Sequence, residues 1–167
     1  MDQPLTKIMN SYSILKSTVG DLLLVADETH LIGIYFSGEK HAPATRDWKR
    51  NPDHTVLKQT ARELDEYFNG TRTTFSVPLR YDGTKFQQEI WRQISQISFG
   101  KTISYTELAK RAGAPGAPRA AGTATGQNPL SIIIPCHRVV GTNGGLRGYA
   151  GGLDRKRHLL EVEKITI

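Results

Sequence analysis

The sequence predicts an α+β chain with a small N-terminal domain, residues 1–82, holding an antiparallel sheet and a helix, and a mostly helical C-terminal domain, residues 83–167. Short apolar or β-prone runs separated by turn residues fill the first half, capped helical spacings fill the second, and the character changes at Asp82-Gly83. At 167 residues the chain can bury enough apolar surface to fold without cross-links.

Residues 11–16 (SYSILK), 21–26 (DLLLVA) and 31–36 (LIGIYF) are separated by Gly20-Asp21 and Asp27-Glu28, which suggests an antiparallel meander. A polar, Pro-containing segment covers 37–53. Val56, Leu57, Ala61, Leu64, Tyr67 and Phe68 then recur at helical spacing and stop before Asn69-Gly70. Phe75 to Tyr81 either adds a strand or crosses to the next unit. Thr84 is a plausible N-cap for a helix carrying Phe86, Ile90, Trp91, Ile94 and Ile97 on one face, with Gly100 ending it. Ser104 with Glu107 has the capping-box pattern and opens a second helix running to Gly113. After the GAPGAP linker, a third runs from about Pro118 to Gln127, so this pair has the outline of a helix-turn-helix.

The third helix is unusually bare. Ala120, Ala121, Gly122, Ala124 and Gly126 leave it without bulk, at a cost of roughly 1 kcal/mol for each Gly relative to Ala. Such a surface serves either tight packing against a neighbouring helix or close approach to a nucleic-acid backbone or groove, with Arg119 as the long cation at its start. Isoleucines 132–134 read as a buried strand or extended segment that Pro135, which has no N–H to donate, interrupts.

The formal net charge is +6, and residues 101–167 carry the whole excess, ten Lys and Arg against four Asp and Glu. That half is the anion-facing one, and polyanionic partners are favoured. The one cysteine excludes an internal disulfide and a Cys-rich zinc site, and the five histidines show no paired-ligand spacing, so no metal and no other cofactor is expected. No apolar run is long enough to span a bilayer, and the N-terminus lacks the order of an export signal; with a free thiol this points to a reducing cytoplasm and no membrane.

Cys136 is thus either a small buried hydrophobe ending an apolar segment or a nucleophile. His137 follows directly, and neighbours along a chain point apart, so a histidine acting as base would need a bridging water or a tight turn. Arg138 would help to hold a thiolate. Taken alone, Tyr105 reads as a packing residue, Glu163 as a solvated charge, and Arg155-Lys156-Arg157 with His158 as solvated helix surface.

The stretch PCHRVVG, preceded by NP and followed by GYAGG and RKRHLLEVE, resembles the active-site region of the O6-alkylguanine-DNA alkyltransferases, the methylated-DNA–protein-cysteine methyltransferases. The likeness continues through FQQEIWRQISQISFGKTISYTELAKRAGAP and RAAGTATGQNP, covering essentially 84–163; the first half matches in length and strand-rich character.

The resemblance implies a ribonuclease H-like first domain, a winged helix-turn-helix in the second, and single-use DNA repair. An alkylated guanine, or O4-alkylthymine, is flipped out of the duplex and its alkyl group moves irreversibly to the cysteine sulfur, because an atom inside the base stack is out of reach. Carried over, Cys136 is the nucleophile and acceptor, His137 the base through water, and Glu163 the acid that orients it. Asn128 fixes the turn presenting the thiol, and Tyr105 is the proton donor to guanine. Arg119 fills the gap in the stack, Thr106, Ala120, Gly122 and Arg138 meet DNA, and Tyr149, Ala150 and Val139 line the substrate pocket. The implied partners are double-stranded DNA, bound through its minor groove, and further copies of the protein along it. Pro118, Arg147 and Ala150 depart from the family's pattern and bear on substrate range.

Overall fold

The computed structural model describes residues 9–166. Residues 1–8, where the sequence reading finds no export signal and where the predicted first domain begins, lie outside the described residues, as does 167.

The expected meander is present as β1 (Ser11–Ser17), β2 (Gly20–Ala26) and β3 (Leu31–Phe36), antiparallel in that order. Gly20, at φ 95°, makes the first reversal, a left-handed conformation that glycine adopts without penalty. Alternation puts Leu22, Leu24 and Ala26 of β2 into the core, at 0% exposure. The polar segment 37–53 contributes β4 (Lys49–Arg50), which pairs parallel with β1 and completes the order β3-β2-β1-β4. Two exposed basic residues carry no local strand signal; the edge of β1 supplies the partner.

Helix α1 (Thr55–Phe68) packs its buried Val56, Leu57, Leu64 and Tyr67 toward the sheet. Glu63 on that face is also buried, its carboxylate accepting bonds from the Ser76 backbone and Gln59. Residues 75–81 form no strand of their own. They cross the edge of β3, where Leu31 N–H donates to Pro78 O and Arg80 N–H donates to Leu31 O.

Helix α2 (Lys85–Ser95) has the reciprocal capping box of Thr84 and Gln87. It ends earlier than the apolar spacing suggested, because 96–100 turn away; Ile97 is nonetheless buried and Gly100 adopts φ 80°. β5 (Ile103–Ser104) leads directly into α3 (Tyr105–Arg111). Ser104 caps it through Glu107 N–H, but the Glu107 carboxylate pairs with Arg111 instead of reaching back, so the capping box is only half made. Helix α4 (Pro118–Gly126) follows the turn at 112–117 and packs on α2 and α3, where Trp91 Nε1 donates to Ala124 O. A 3-10 turn at Cys136–Arg138, β6 (Val139–Val140) parallel to β5, and α5 (Leu153–Val162) complete the chain.

Buried side chains from both halves form one continuous core, including Leu24, Phe36 and Tyr67 from the first and Ile90, Leu108, Ile134 and Leu159 from the second. Ile34 N–H of β3 donates to Pro129 O, which ties the sheet edge to the segment leading into the thiol.

The run 132–134 is a correction. Ile132 and Ile134 are buried, as expected of an apolar run, but the segment is coiled and not a strand. Ile134 N–H donates to Leu130 O, and Ile132 sits at φ 76°, which is rare for a β-branched residue. Asn128 braces the coil from inside, its Oδ1 accepting from Leu130 N–H at 2.9 Å and its Nδ2 donating to Ile134 O at 2.8 Å.

Candidate active site and nucleic-acid interface

Cys136 opens the 3-10 turn directly after Pro135 and is only 3% exposed. The turn sends His137 and Arg138 to one place, the Glu163 carboxylate at the C-terminus of α5. Glu163 is 2% exposed and accepts four bonds. Its Oε2 takes His137 Nε2 and the Tyr67 hydroxyl, the latter at 2.7 Å. Its Oε1 takes Arg138 Nε at 2.7 Å and Gly100 N–H at 3.1 Å. Burial pushes the Glu163 carboxyl up, but the bonds from His137, Arg138 and Tyr67 prevail and hold it at about 2. Glu163 is therefore no solvated terminal charge.

A carboxylate only accepts, so His137 carries its proton on Nε2 and presents a lone pair at Nδ1. That Nδ1 is buried without a protein partner. Burial, with the Arg138 and Lys156 charges, outweighs the pull of Glu163 and lowers the His137 pKa, which favours the neutral ring. No hydrogen bond joins Cys136 directly to His137 among the described residues. The ring therefore keeps a free lone pair and makes no direct bond to the sulfur.

The thiol is raised chiefly by burial, with Glu39 adding to the effect; hydrogen bonding from Asn128 and Tyr149 and the Lys156 charge act in the opposite direction. Tyr149 neighbours the sulfur, yet its buried hydroxyl makes no hydrogen bond of good geometry. Lys156 is where the charge-run reading fails most clearly. It is fully buried, donates from Nζ to Val139 O at 2.7 Å and Arg147 O at 3.4 Å, and lies 5.7 Å from the Tyr105 ring centre. Burial brings its pKa down to about 8, against the pull of Cys136. The sequence signal lay in the helical register, which puts residue 156 in line with buried Leu159 and Leu160 three and four positions on. Tyr67 was missed as well, and nothing near it in sequence marks it.

In front of the thiol is an open cleft of about 880 Å³. Tyr105, Thr106, Arg119 and Gly122 line one side, Arg147, Tyr149 and Ala150 another, and Glu39, Lys40 and His41 come from the N-terminal half. Tyr105 and Tyr149 reach both the cleft and the neighbourhood of Cys136, so the sulfur lies one side chain behind the wall. Burial and the nearby thiol lift the Tyr105 phenol to about 12, against Arg147.

The bare helix α4 divides its small residues between two uses. Ala121 and Ala124 are buried against neighbouring helices. Outward, Arg119, Ala120, Thr123 and Gly126 are exposed. A Cβ at Gly122 would meet only the Tyr105 ring at 3.6 Å, and at Gly126 nothing within 4 Å, so protein packing requires neither glycine. Thr106 is exposed at the cleft edge and its hydroxyl lies 3.3 Å from that of Thr142.

Two expected site residues are placed elsewhere. Arg138 is 5% exposed, donates to Glu163 and to Ile97 O, and stacks over Phe99; it supports the acid and does not line the cleft. Val139 is fully buried and offers its carbonyl to Lys156 instead of its side chain to the cleft. Arg138 closes the 3-10 turn and Val139 opens β6, which pairs with β5, and both side chains are buried.

The family described as 6-O-methylguanine DNA methyltransferase, ribonuclease-like domain, matches residues 10–81, and its DNA binding domain matches 85–165. The chain is 42% identical over 156 residues to the methylated-DNA–protein-cysteine methyltransferase of Mycobacterium tuberculosis, covering 93% of each. It is 43% identical to the protein of that name from Haemophilus influenzae, covering 92% of this chain and 86% of the relative. Among solved structures, M. tuberculosis OGT in complex with DNA superposes with a TM-score of 0.87 at 41% identity over 92% of each chain.

Proposed function

The chain belongs to the 6-O-methylguanine DNA methyltransferase family, and from that membership we propose that it repairs double-stranded DNA by moving the alkyl group of O6-alkylguanine, and of O4-alkylthymine, onto Cys136. One observation carries the reading. A buried thiol stands between an open cleft and a neutral imidazole whose free lone pair is held in place by a fully bonded carboxylate.

The steps follow from that placement. The thiol proton passes through a water to His137 Nδ1, and Glu163 steadies the imidazolium that results. The Lys156 ammonium favours the thiolate. Sulfur attacks the alkyl carbon, the carbon–O6 bond breaks, and the electron pair leaves with the base. The Tyr105 hydroxyl gives that base a proton and recovers one from His137 through solvent. The product thioether has no easy leaving group, so each molecule reacts once.

Access to the sulfur requires a flipped base. The exposed face of α4, with Gly122 and Gly126 free of internal packing, suits a minor groove, and Arg119 at its start suits the gap left in the stack. Residues 1–82 act as the supporting domain and 83–167 as the DNA-binding and acceptor domain. A thiol that must stay reduced suits the cytoplasm. Among the described residues no helix is long and apolar enough to cross a membrane.

Intact-mass measurement after incubation with duplex DNA containing O6-methylguanine tests the proposal. The wild type should gain one methyl group and Cys136→Ser none. No gain, or a gain that survives the substitution, overturns it.

A further inference from the structure

The wall of the cleft at Gly148–Ala150 belongs to a loop with little structure of its own. Gly144, Gly145, Gly148, Gly151 and Gly152 make it glycine-rich, with positive φ at Gly144 and Gly152. Fixing such a segment costs backbone entropy at every residue. Something outside the loop has to hold Tyr149, and the contacts show what it is.

Phe36, the last residue of β3, is 1% exposed and meets Tyr149 edge-on at 5.7 Å between ring centres. The same ring covers Gly151, where a Cβ would come within 2.6 Å of Phe36 Cδ2. Arg155, four residues further on, lies over Phe36 at 5.3 Å from its centre. Its guanidinium donates to Val19 O at 2.9 Å, Ser37 O at 3.1 Å and Gly151 O at 3.3 Å. One cation thus joins the β1–β2 turn, the end of β3 and the cleft loop. The end of β3 is itself fixed, since Phe36 N–H donates to the buried Glu39 carboxylate at 2.9 Å. Neither Phe36 nor Arg155 bonds to Cys136, His137 or Glu163. Arg155 is therefore not the solvated helix residue that its place in a basic run suggests.

We infer that Phe36 and Arg155 are specificity-determining positioning residues: through them the N-terminal sheet sets where Tyr149 and Ala150 stand, and so how large an alkyl group the cleft admits. The inference rests on the proposed function in taking the cleft as the seat of the flipped base. Arginine suits the position because its planar fork reaches three carbonyls while stacking on a ring; a lysine ammonium would keep the charge and lose that geometry.

The test compares full-length wild type, Arg155→Ala, Arg155→Lys and Phe36→Leu, using O6-methylguanine and O6-benzylguanine as free bases and reading each rate by intact mass. Arg155→Ala and Phe36→Leu should raise the benzyl-to-methyl rate ratio about tenfold, a change of the size that pocket contacts confer, with Arg155→Lys in between. Hydrogen exchange supplies a reading that needs no reaction: exchange over 144–152 should quicken in Arg155→Ala while β1 and β2 stay protected. An unchanged ratio in folded variants, equal loss with both substrates, or unchanged loop exchange would overturn the inference. A wild type that fails to react with either base counts against the proposed function alone, and loop exchange then decides whether the clamp exists.

Discussion

The two sides of Cys136 are built in opposite ways. Behind it, His137, Arg138, Tyr67 and Glu163 are buried and tied together by short bonds to one carboxylate. In front, Arg119, Ala120, Thr123 and Arg147 are exposed, and Gly122 and Gly126 of α4 answer no need of the interior. A fixed charge network needs dry, exact surroundings to hold a base neutral and an acid ionised, whereas a surface that receives DNA must stay open to it. Substitutions in the Glu163 network should therefore cost stability and chemistry together, and those in front should act on DNA without harming the fold.

Glu163→Gln should have the largest effect. It leaves the Arg138 guanidinium buried without its countercharge, a loss of about 3–5 kcal/mol on denaturant unfolding, and alkyl transfer should fall at least about a hundredfold. The carboxyl is held at about 2 against an ordinary 4.5. Its stabilisation is complete above the ordinary value and is lost as pH falls from there toward 2, so acid unfolding should be flatter over this window in the variant. A Gln variant that melts and unfolds in acid like the wild type would break the contrast.

Lys156→Met separates chemistry from stability behind the sulfur. The Lys156 pKa is lowered from 10.5 to about 8, so below 8 the fold bears the full cost of a buried charge. Between those values the unfolded chain binds more protons, and wild-type stability should rise with pH there, a rise the variant lacks. At neutral pH the variant should melt within about 1 kcal/mol of the wild type, while transfer slows about tenfold for want of the cation beside the thiol.

Arg119→Ala should lower repair of duplex DNA about tenfold and leave reaction with the free modified base nearly unchanged. Equal losses would remove Arg119 from the front. Gly122→Ala is the gentlest test. A Cβ there makes ordinary contact, so the helix should gain about 0.5–1 kcal/mol by thermal melt while duplex affinity measured by titration falls.

What the sequence discloses divides along similar lines. Strands β1 to β3, helix α1 and the Thr84 cap were legible because period-2 and helical spacings and a capping pair are local signals. β4 was hidden because its pairing comes from a strand more than thirty residues away. The isoleucine run misled in shape because its burial is a local property, while its coiling depends on Asn128 bonds to Leu130 and Ile134. Arg155 and Lys156 read as solvated because long cations usually are; here backbone carbonyls accept from both, Arg155 half-buried and Lys156 fully buried. The resemblance brought Cys136, His137 and Glu163 together, and it misplaced Arg138, which the acid itself claims.

Glu163 draws its four partners from residues 67, 100, 137 and 138, on four separate segments counting its own. During synthesis the thiol emerges well before that acid, and α1 and the loop after α2 must already be docked for it to find its place. An incomplete or misfolded chain thus carries a cysteine without an oriented base. Alkyl transfer from a base in DNA should therefore be a property of the finished fold, although the thiol itself is present long before.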